Sequence, residues 1–427
     1  MKGHPTFAIN LETRIDRKRH ILNQFKYRGE FDFELIKANE HNIGSIGLWE
    51  TILSIVRKAK KDKREYIIIC EDDHHFTNYY NSKNMGQYIV EADKLQADVL
   101  LGGVSWYKTA MQVSDNLFWI DKFSGLQFTV IFSRIFDAIL DVSFRSCDAS
   151  DYKISELSFN KFVIFPFISV QKEFGYSDIT LKNNERGYVS DIFNKTATML
   201  NQLSRVKSFY KGFPTMQLAM EQYNEIELPC YILTYPGNRV LSNEIKNQFR
   251  DKNEFDLNVI QIQEHKSEEF ALWGGLLKAI LNSSQNDDDL IVVCRDDHKF
   301  TSSYSKNVLL RNIIEANEQG ADILFADADS FGQIVPISAE RYWINPIKSS
   351  LFFIVYKKMF KKILSHKFKS SHRLFEVLSI LSSHKMLLYP FISTSVKCDL
   401  KPCEKKESNR RMAAICAAFR KYEPRNA

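Results

Sequence analysis

Two stretches decide how this chain is read: YIIICEDDHHFTNYY, residues 66–80, and LIVVCRDDHKFTSSY, residues 290–304. They begin 224 residues apart, and the same offset carries Asn23-Gln24-Phe25 onto Asn247-Gln248-Phe249 and Leu48-Trp49 onto Leu272-Trp273. Farther along it carries Ala97-Asp98 onto Ala321-Asp322, Trp119-Ile120 onto Trp343-Ile344, and Pro166–Ser169 onto Pro390–Ser393, with no gap between the anchors. Chance does not hold register across so many anchors. The chain reads as a tandem duplication, the kind of internal repeat that sets a fold.

Working outward from residue 66, each copy alternates strand and helix. In the first, TFAINL (6–11) is a strand, a polar helix follows over Arg17–Tyr27, and FDFELIKA (31–38) is a second strand. Ile46, Trp49, Ile52, Leu53 and Val56 then fall on one face of a helix that ends in the lysine-rich KAKKDKRE. The uninterrupted apolar run YIIIC is a buried strand, followed by a helix near Met85–Leu95 and the strand ADVLLGG. That order implies right-handed βαβ units on a mainly parallel sheet, and FWIDKFSGLQFTVIFS adds strands that make it mixed.

The expected organisation is a first domain over 1–182, a helical linker over 183–228, a second domain over 229–402, and a basic C-terminal helix over 403–427. Val189, Ile192, Phe193, Thr196, Leu200, Leu203 and Val206 repeat at helical spacing, which closes the first core, bridges the domains or forms a homodimer seam. RRMAAICAAFRKYEPR (410–425) is a basic amphipathic helix; it docks on the second domain or attaches weakly to an anionic membrane surface.

With 427 residues, the chain is too long for one core and fits two α/β domains. A net charge of +6 spread over mixed signs, with no basic stripe, argues against a nucleic-acid partner and is compatible with nucleotide diphosphates. The seven cysteines are odd in number and form no CxxC or zinc spacing, as in a reduced, cytoplasmic protein. MKGHPTFAINLETR carries no long apolar stretch and no window approaches bilayer length, so the expectation is a protein soluble in the cytoplasm or peripheral at the inner face of the membrane.

Glu71, Asp72 and Asp73 follow an apolar strand, at the carboxyl edge where open α/β sheets bind ligands. Two unit charges about 4 Å apart repel by about 4 kcal/mol at an effective dielectric near 20. A hard cation, Mg²⁺ or Mn²⁺, relieves that repulsion and, shared with a diphosphate, neutralises a departing leaving group. His74 or His75 as an added ligand would favour Mn²⁺. The alternative is a solvated acidic loop, and the recurrence of Asp296-Asp297-His298 in the second copy weighs against it.

At this point the chain resembles the family 25 glycosyltransferases, which include bacterial lipopolysaccharide galactosyltransferases and animal collagen glycosyltransferases. The resemblance rests on Ile9–Arg17 with Gln24-Phe25, on Cys70–Asp73, on Phe128–Arg134, and on Pro166, Gln171 and Ser177-Asp178-Ile179, and spans most of residues 6–182. It implies tandem Rossmann-like domains of the GT-A type, a UDP-sugar donor, a divalent metal, inversion at the anomeric carbon and a glycan, lipopolysaccharide-type or protein acceptor, with galactose or glucose the favoured sugar. Carried over, the loop Asn10–Arg17, Leu11 included, meets the nucleotide, with Arg14 and Arg17 toward phosphate or base. Asp73 is the first metal ligand, with Glu71 and His75 beside it; Asp72 and Glu71 serve the metal or ribose, and Asp178 the metal or substrate. Asp151, or Asp148, in SCDASDYKISE (146–156) stands where the family places acidic residues and is the expected general base. Ile43–Glu50 departs from the family, whose helix there carries a histidine this chain lacks.

In the second copy CYILTYPGNR (230–239) has lost the Asn-Leu and Arg-Asp-Arg elements, and Arg295 replaces Glu71. Asp296, Asp297 and Asp399 survive, Asp327 and Asp329 are added, and His372 and Phe375 stand at the positions of Asp148 and Asp151. A guanidinium beside two carboxylates competes with a metal, so this copy reads as divergent or non-catalytic. The alternatives are a bifunctional enzyme with two active domains and a duplicated pseudoenzyme that scaffolds saccharides. A nucleotidyltransferase would want a Gly-rich phosphate loop where ETRIDRKR (12–19) stands.

Overall fold

The computed structural model describes residues 3–176, 181–213, 225–235, 239–263, 265–396 and 402–423. The chain is α/β and divides into two compact units, residues 1–204 with 418–427, and residues 205–417.

Unit 1 runs β1 (His4–Asn10), α1 (Ile15–Phe25), β2 (Phe31–Lys37), α2 (Gly44–Lys61), β3 (Tyr66–Glu71), β4 (His74–Phe76), α3 (Ser82–Lys94) and β5 (Val99–Leu101). It continues with β6 (Trp106–Tyr107), β7 (Ala110–Gln112), β8 (Leu117–Ile120), β9 (Phe123–Ser124), β10 (Phe128–Phe132), α4 (Phe136–Asp141), α5 (Ser150–Leu157), β11 (Lys161–Ile164) and β12 (Ser169–Gln171). Helix α6 (Tyr188–Tyr210) follows.

The main sheet has the order β2-β1-β3-β10-β5-β11-β8-β7. The pairings leave β10 and β8 reversed and the other strands pointing one way. Ile67, Ile68, Ile69 and Cys70 are buried on both faces of the sheet, which is why that run does not alternate. The chain leaves β1 toward β2 and returns through α2 to β3 on the other side, making the β1/β3 edge a topological switch point. Gly47 lets α2 start tightly there, because a Cβ would stand 2.3 Å from Asn39 O.

Unit 2 repeats the order with β13 (Leu228–Thr234), α7 (Arg239–Phe249), β14 (Phe255–Gln261), α8 (Glu268–Asn286), β15 (Leu290–Arg295), β16 (His298–Phe300), α9 (Lys306–Glu318) and β17 (Ile323–Phe325). Then come β18 (Phe331–Pro336), β19 (Arg341–Ile347), β20 (Phe352–Tyr356), α10 (Lys357–Ser365), α11 (Leu374–Leu381), β21 (Lys385–Leu388), β22 (Ser393–Ser395) and α12 (Pro402–Tyr422). Its sheet, β14-β13-β15-β20-β17-β21-β19-β18, matches that of unit 1 strand for strand, with the same senses.

The segment expected as a linker packs into unit 1 as far as Ser204. Val189, Phe193, Leu200 and Leu203 are buried, and Thr196 Oγ1 donates to Ser105 O at 2.8 Å. In unit 2, Ser408 of α12 donates to Ala328 O at 2.8 Å. Among the described residues, no helix is long and apolar enough to cross a membrane.

Candidate active site

The carboxyl ends of β1 and β3 lie side by side, with Ile9 in register with Glu71. Two cavities open at this edge. One, about 450 Å³, is bounded by Leu11, Thr13, Asn39, His41 and Asn42; the other, about 650 Å³, extends past Asp73, Trp106, Asp151, Tyr152, Gln171 and Lys195. Arg14, Leu48 and Glu71 line both and mark where they meet.

The turn after β3 sorts its three carboxylates. Asp72 points inward and is consumed by the protein: Asn10 Nδ2 donates to Oδ2 at 2.9 Å and Arg17 Nη1 to Oδ1 at 3.1 Å. Asn10 and Asp72, expected to contact a ligand, buckle β1 to the acidic turn, and Asp72 also lines the smaller cavity. Arg17 is buried, lies 3.5 Å from Asp73 Oδ2, donates to Tyr176 O at 2.6 Å, and is flanked by the rings of Phe174 and Tyr176. Its fork is therefore committed to the acidic turn. Arg14, more open, is the arginine that lines both cavities.

Glu71 and Asp73 face the larger cavity. Burial raises the Glu71 carboxyl well above its usual range, and Asp73, Asp72 and Asp151 add to the shift. Asp73 is pushed up to about 7 by burial and by Asp72, against the pull of Arg17 and Arg14. Its Oδ1 is buried with no hydrogen-bond partner.

Among the described residues, no three histidine, cysteine or acidic side chains converge as a complete metal-ligand set. Asp73 Oδ1 and Glu71 do fit a hard cation of the Mg²⁺ kind, which takes one or two carboxylates and completes its shell with phosphate and water. His75 is not part of that arrangement. On β4 successive side chains alternate, so His74 is buried while His75 is exposed and stacks on His20. Asp178, expected to serve metal or substrate, lies outside the described residues.

An acid whose folded pKa lies above its unfolded value binds extra protons in the folded state between the two. Unit 1 should therefore lose stability as pH rises from about 4 to about 7. Thermal melts in chelator across that range should show the decline, and Asp73→Asn should reduce it, leaving the part that Glu71 contributes.

Asp151 stands on the first turn of α5 and lines the larger cavity. Its Oδ2 accepts from Ser124 Oγ at 2.6 Å and Gly125 N at 3.1 Å, and its Oδ1 from Tyr152 N at 2.8 Å. Asp148 departs from expectation. Bonds from Lys153 Nζ (2.8 Å) and Arg145 N (2.9 Å) hold its carboxyl down at about 2, and it does not line the cavity. A group so paired is a poor proton acceptor.

Missed from the sequence were Trp106, Tyr152 and the wall that α6 supplies through Tyr188, Ile192, Lys195, Thr196 and Met199. The helical repeat over 189–206 signalled a packed face; Ile192 and Thr196 of that stripe, with Tyr188, Lys195 and Met199 beside it, border the cavity.

In unit 2 the carboxylates at the equivalent edge are paired with side chains of the same unit. Arg295 pairs with Asp297 (3.3 Å) and Glu268 (3.2 Å), and Ser395 Oγ also donates to Asp297 at 2.9 Å. Thr234 donates to Asp296 at 3.1 Å. Asp327, at the position of Gly103, is fully buried, its Oδ1 accepting from Ser350 Oγ (2.7 Å) and Leu351 N (2.9 Å). Phe375, at the position of Asp151, is core. Asp399 lies outside the described residues.

No protein-family model matches the chain, and no curated protein does. Among solved structures it is similar to an apo UDP-glucose pyrophosphorylase, at 9% identity and a TM-score of 0.28, over 45% of this chain and 81% of that one. It is similar also to a UDP-glucose pyrophosphorylase complexed with UDP-glucose, at 13% identity and a TM-score of 0.28, over 47% of this chain and 89% of that one. Likeness at this level carries no argument about activity.

Proposed function

We propose that the chain is an inverting, nucleotide-sugar-dependent glycosyltransferase of the GT-A type, similar to family 25, that arose by tandem duplication and works through unit 1 alone. The observation that carries this reading is the contrast between the two edges. Unit 1 keeps Glu71 and lines a double cavity with it, Asp73 and Arg14, while Arg17 pairs with Asp72 and Asp73. Unit 2 has Arg295 in place of Glu71, and its surviving carboxylates pair with Arg295, Ser395 and Thr234.

The smaller cavity, at the ends of β1 and β2, takes the nucleoside, and Arg14 takes a phosphate at the junction. A divalent cation, Mn²⁺ or Mg²⁺, held by Asp73 and Glu71 would offset the charge of the departing diphosphate. The hexose then lies toward Asp151, whose Oδ1 retains lone-pair capacity beyond the bond from Tyr152 N. That oxygen takes the proton of the attacking hydroxyl as the new glycosidic bond forms.

Slow donor hydrolysis needs no acceptor, so it tests this reading directly. Purified protein with Mn²⁺ and a panel of UDP-hexoses should release UDP from one donor above background. No turnover, together with no metal-dependent UDP binding by calorimetry, would sink the proposal and leave a saccharide-binding scaffold.

A further inference from the structure

The larger cavity continues beyond Asp151 to two aromatic side chains that nothing in the reaction so far uses. Trp106, on β6, and Tyr152, beside Asp151 on α5, meet edge to face with ring centroids 6.2 Å apart. Both line the cavity, yet they remain 43% and 46% exposed. A single exposed aromatic is ordinary, but an adjacent pair on a concave wall is not.

We propose that this pair is the stacking platform for the pyranose ring of a saccharide acceptor. The inference rests on the transferase reading above and names the acceptor side of the same site. A pyranose has an apolar C–H face that suits the electron-rich face of an indole or phenol ring. Its hydroxyl rim needs polar partners, which Ser105, Gln171 and Lys195 offer around the same cavity.

The framework points the same way. Trp106 pairs with Ser124 across β6 and β9, and Ser124 and Gly125 both donate to Asp151. The same carboxylate accepts from Tyr152 N. One side chain thus ties together both segments that carry the platform, placing a ring stacked there next to the oxygen assigned as proton acceptor. Unit 2 has Ser330 and Glu376 at the equivalent positions, Phe375 in place of Asp151 and, among the described residues, no counterpart of the β6–β9 pair. Among the described residues the aromatic pair has no counterpart at the equivalent positions of unit 2.

Saturation-transfer NMR with methyl β-galactopyranoside and methyl β-glucopyranoside, in the presence of UDP and Mn²⁺, tests this. Ring-proton signals are expected with the wild-type chain and with the unit 2 variant Ser330→Ala/Glu376→Ala. Trp106→Ala and Tyr152→Ala should weaken pyranoside affinity by at least about tenfold, and Trp106→Phe should retain part of it. Circular dichroism checks that each variant is folded. Undiminished signals in folded Trp106→Ala and Tyr152→Ala would overturn the platform, as would loss of the uridine signals in place of the pyranoside ones. Wild-type protein that binds UDP but neither pyranoside would overturn this inference and leave the transferase reading standing. Protein that binds neither UDP nor pyranoside would overturn both.

Discussion

On the proposed transferase reading Asp73→Ala is expected to cut donor turnover by about 100-fold or more, because losing a carboxylate that would hold a cation at the leaving group costs several kcal/mol of transition-state stabilisation. Asp297→Ala, the same change 224 residues on, should leave turnover where it was. The two aspartates close equivalent turns but differ in surroundings. Each has an arginine beside it, Arg17 at 3.5 Å from Asp73 and Arg295 at 3.3 Å from Asp297, and each keeps one buried oxygen without a hydrogen bond. Asp73 borders the cavity beside Glu71, whereas Asp297 also takes a bond from Ser395 and has Arg295 where Glu71 stands. UDP release measured for both variants across the donor panel decides the matter. Equal loss in both would mean two working domains, and equal indifference would remove the carboxylate from the chemistry.

The second large effect is on stability. Arg17→Ala should destabilise unit 1 by about 3–5 kcal/mol, the range for removing one partner of a buried ion pair. For a unit of this size that is a fall in melting temperature of about 10 °C. The loss comes from Asp72, buried and left with Asn10 as its closest remaining donor, and from Asp73, whose repulsion with Asp72 would go unscreened. Adding Asp72→Asn should restore much of the loss. Melts of the two single variants and the double give the coupling energy, and simple additivity would show that the pair is not the source.

Much of the fold was legible because the signals were local and repeated. A single offset aligned the two sheets strand for strand, and the apolar run ending at Cys70 marked the strand that carries the acidic turn. Within that turn the sequence could not say which carboxylate faces in. The decision belongs to Asn10 and Arg17, roughly sixty residues upstream, which hold Asp72 while it lines the smaller cavity. His75 was legible in principle, since alternation along β4 buries its neighbour and turns it outward. Asp148 and Asp151 look interchangeable in sequence. Only the fold shows Lys153 and Arg145 closing on the first while Ser124 and Gly125 hold the second at the cavity. Trp106 and Tyr152 were invisible as a pair because no pattern in the chain links residues 106 and 152.

Helix α6 has a further consequence. The anchors that hold the repeat in register run out at Ser169 and Ser393, so the helix bordering the cavity lies beyond the last of them. Unit 1 therefore combines a frame shared strand for strand with unit 2 and a cavity wall that lies outside that frame. Selection can rewrite Tyr188, Lys195 or Met199, and with them what the cavity admits, without disturbing a strand of the frame. The residues that line the cavity from α6 and the strands that build the sheet lie in different stretches of the same chain.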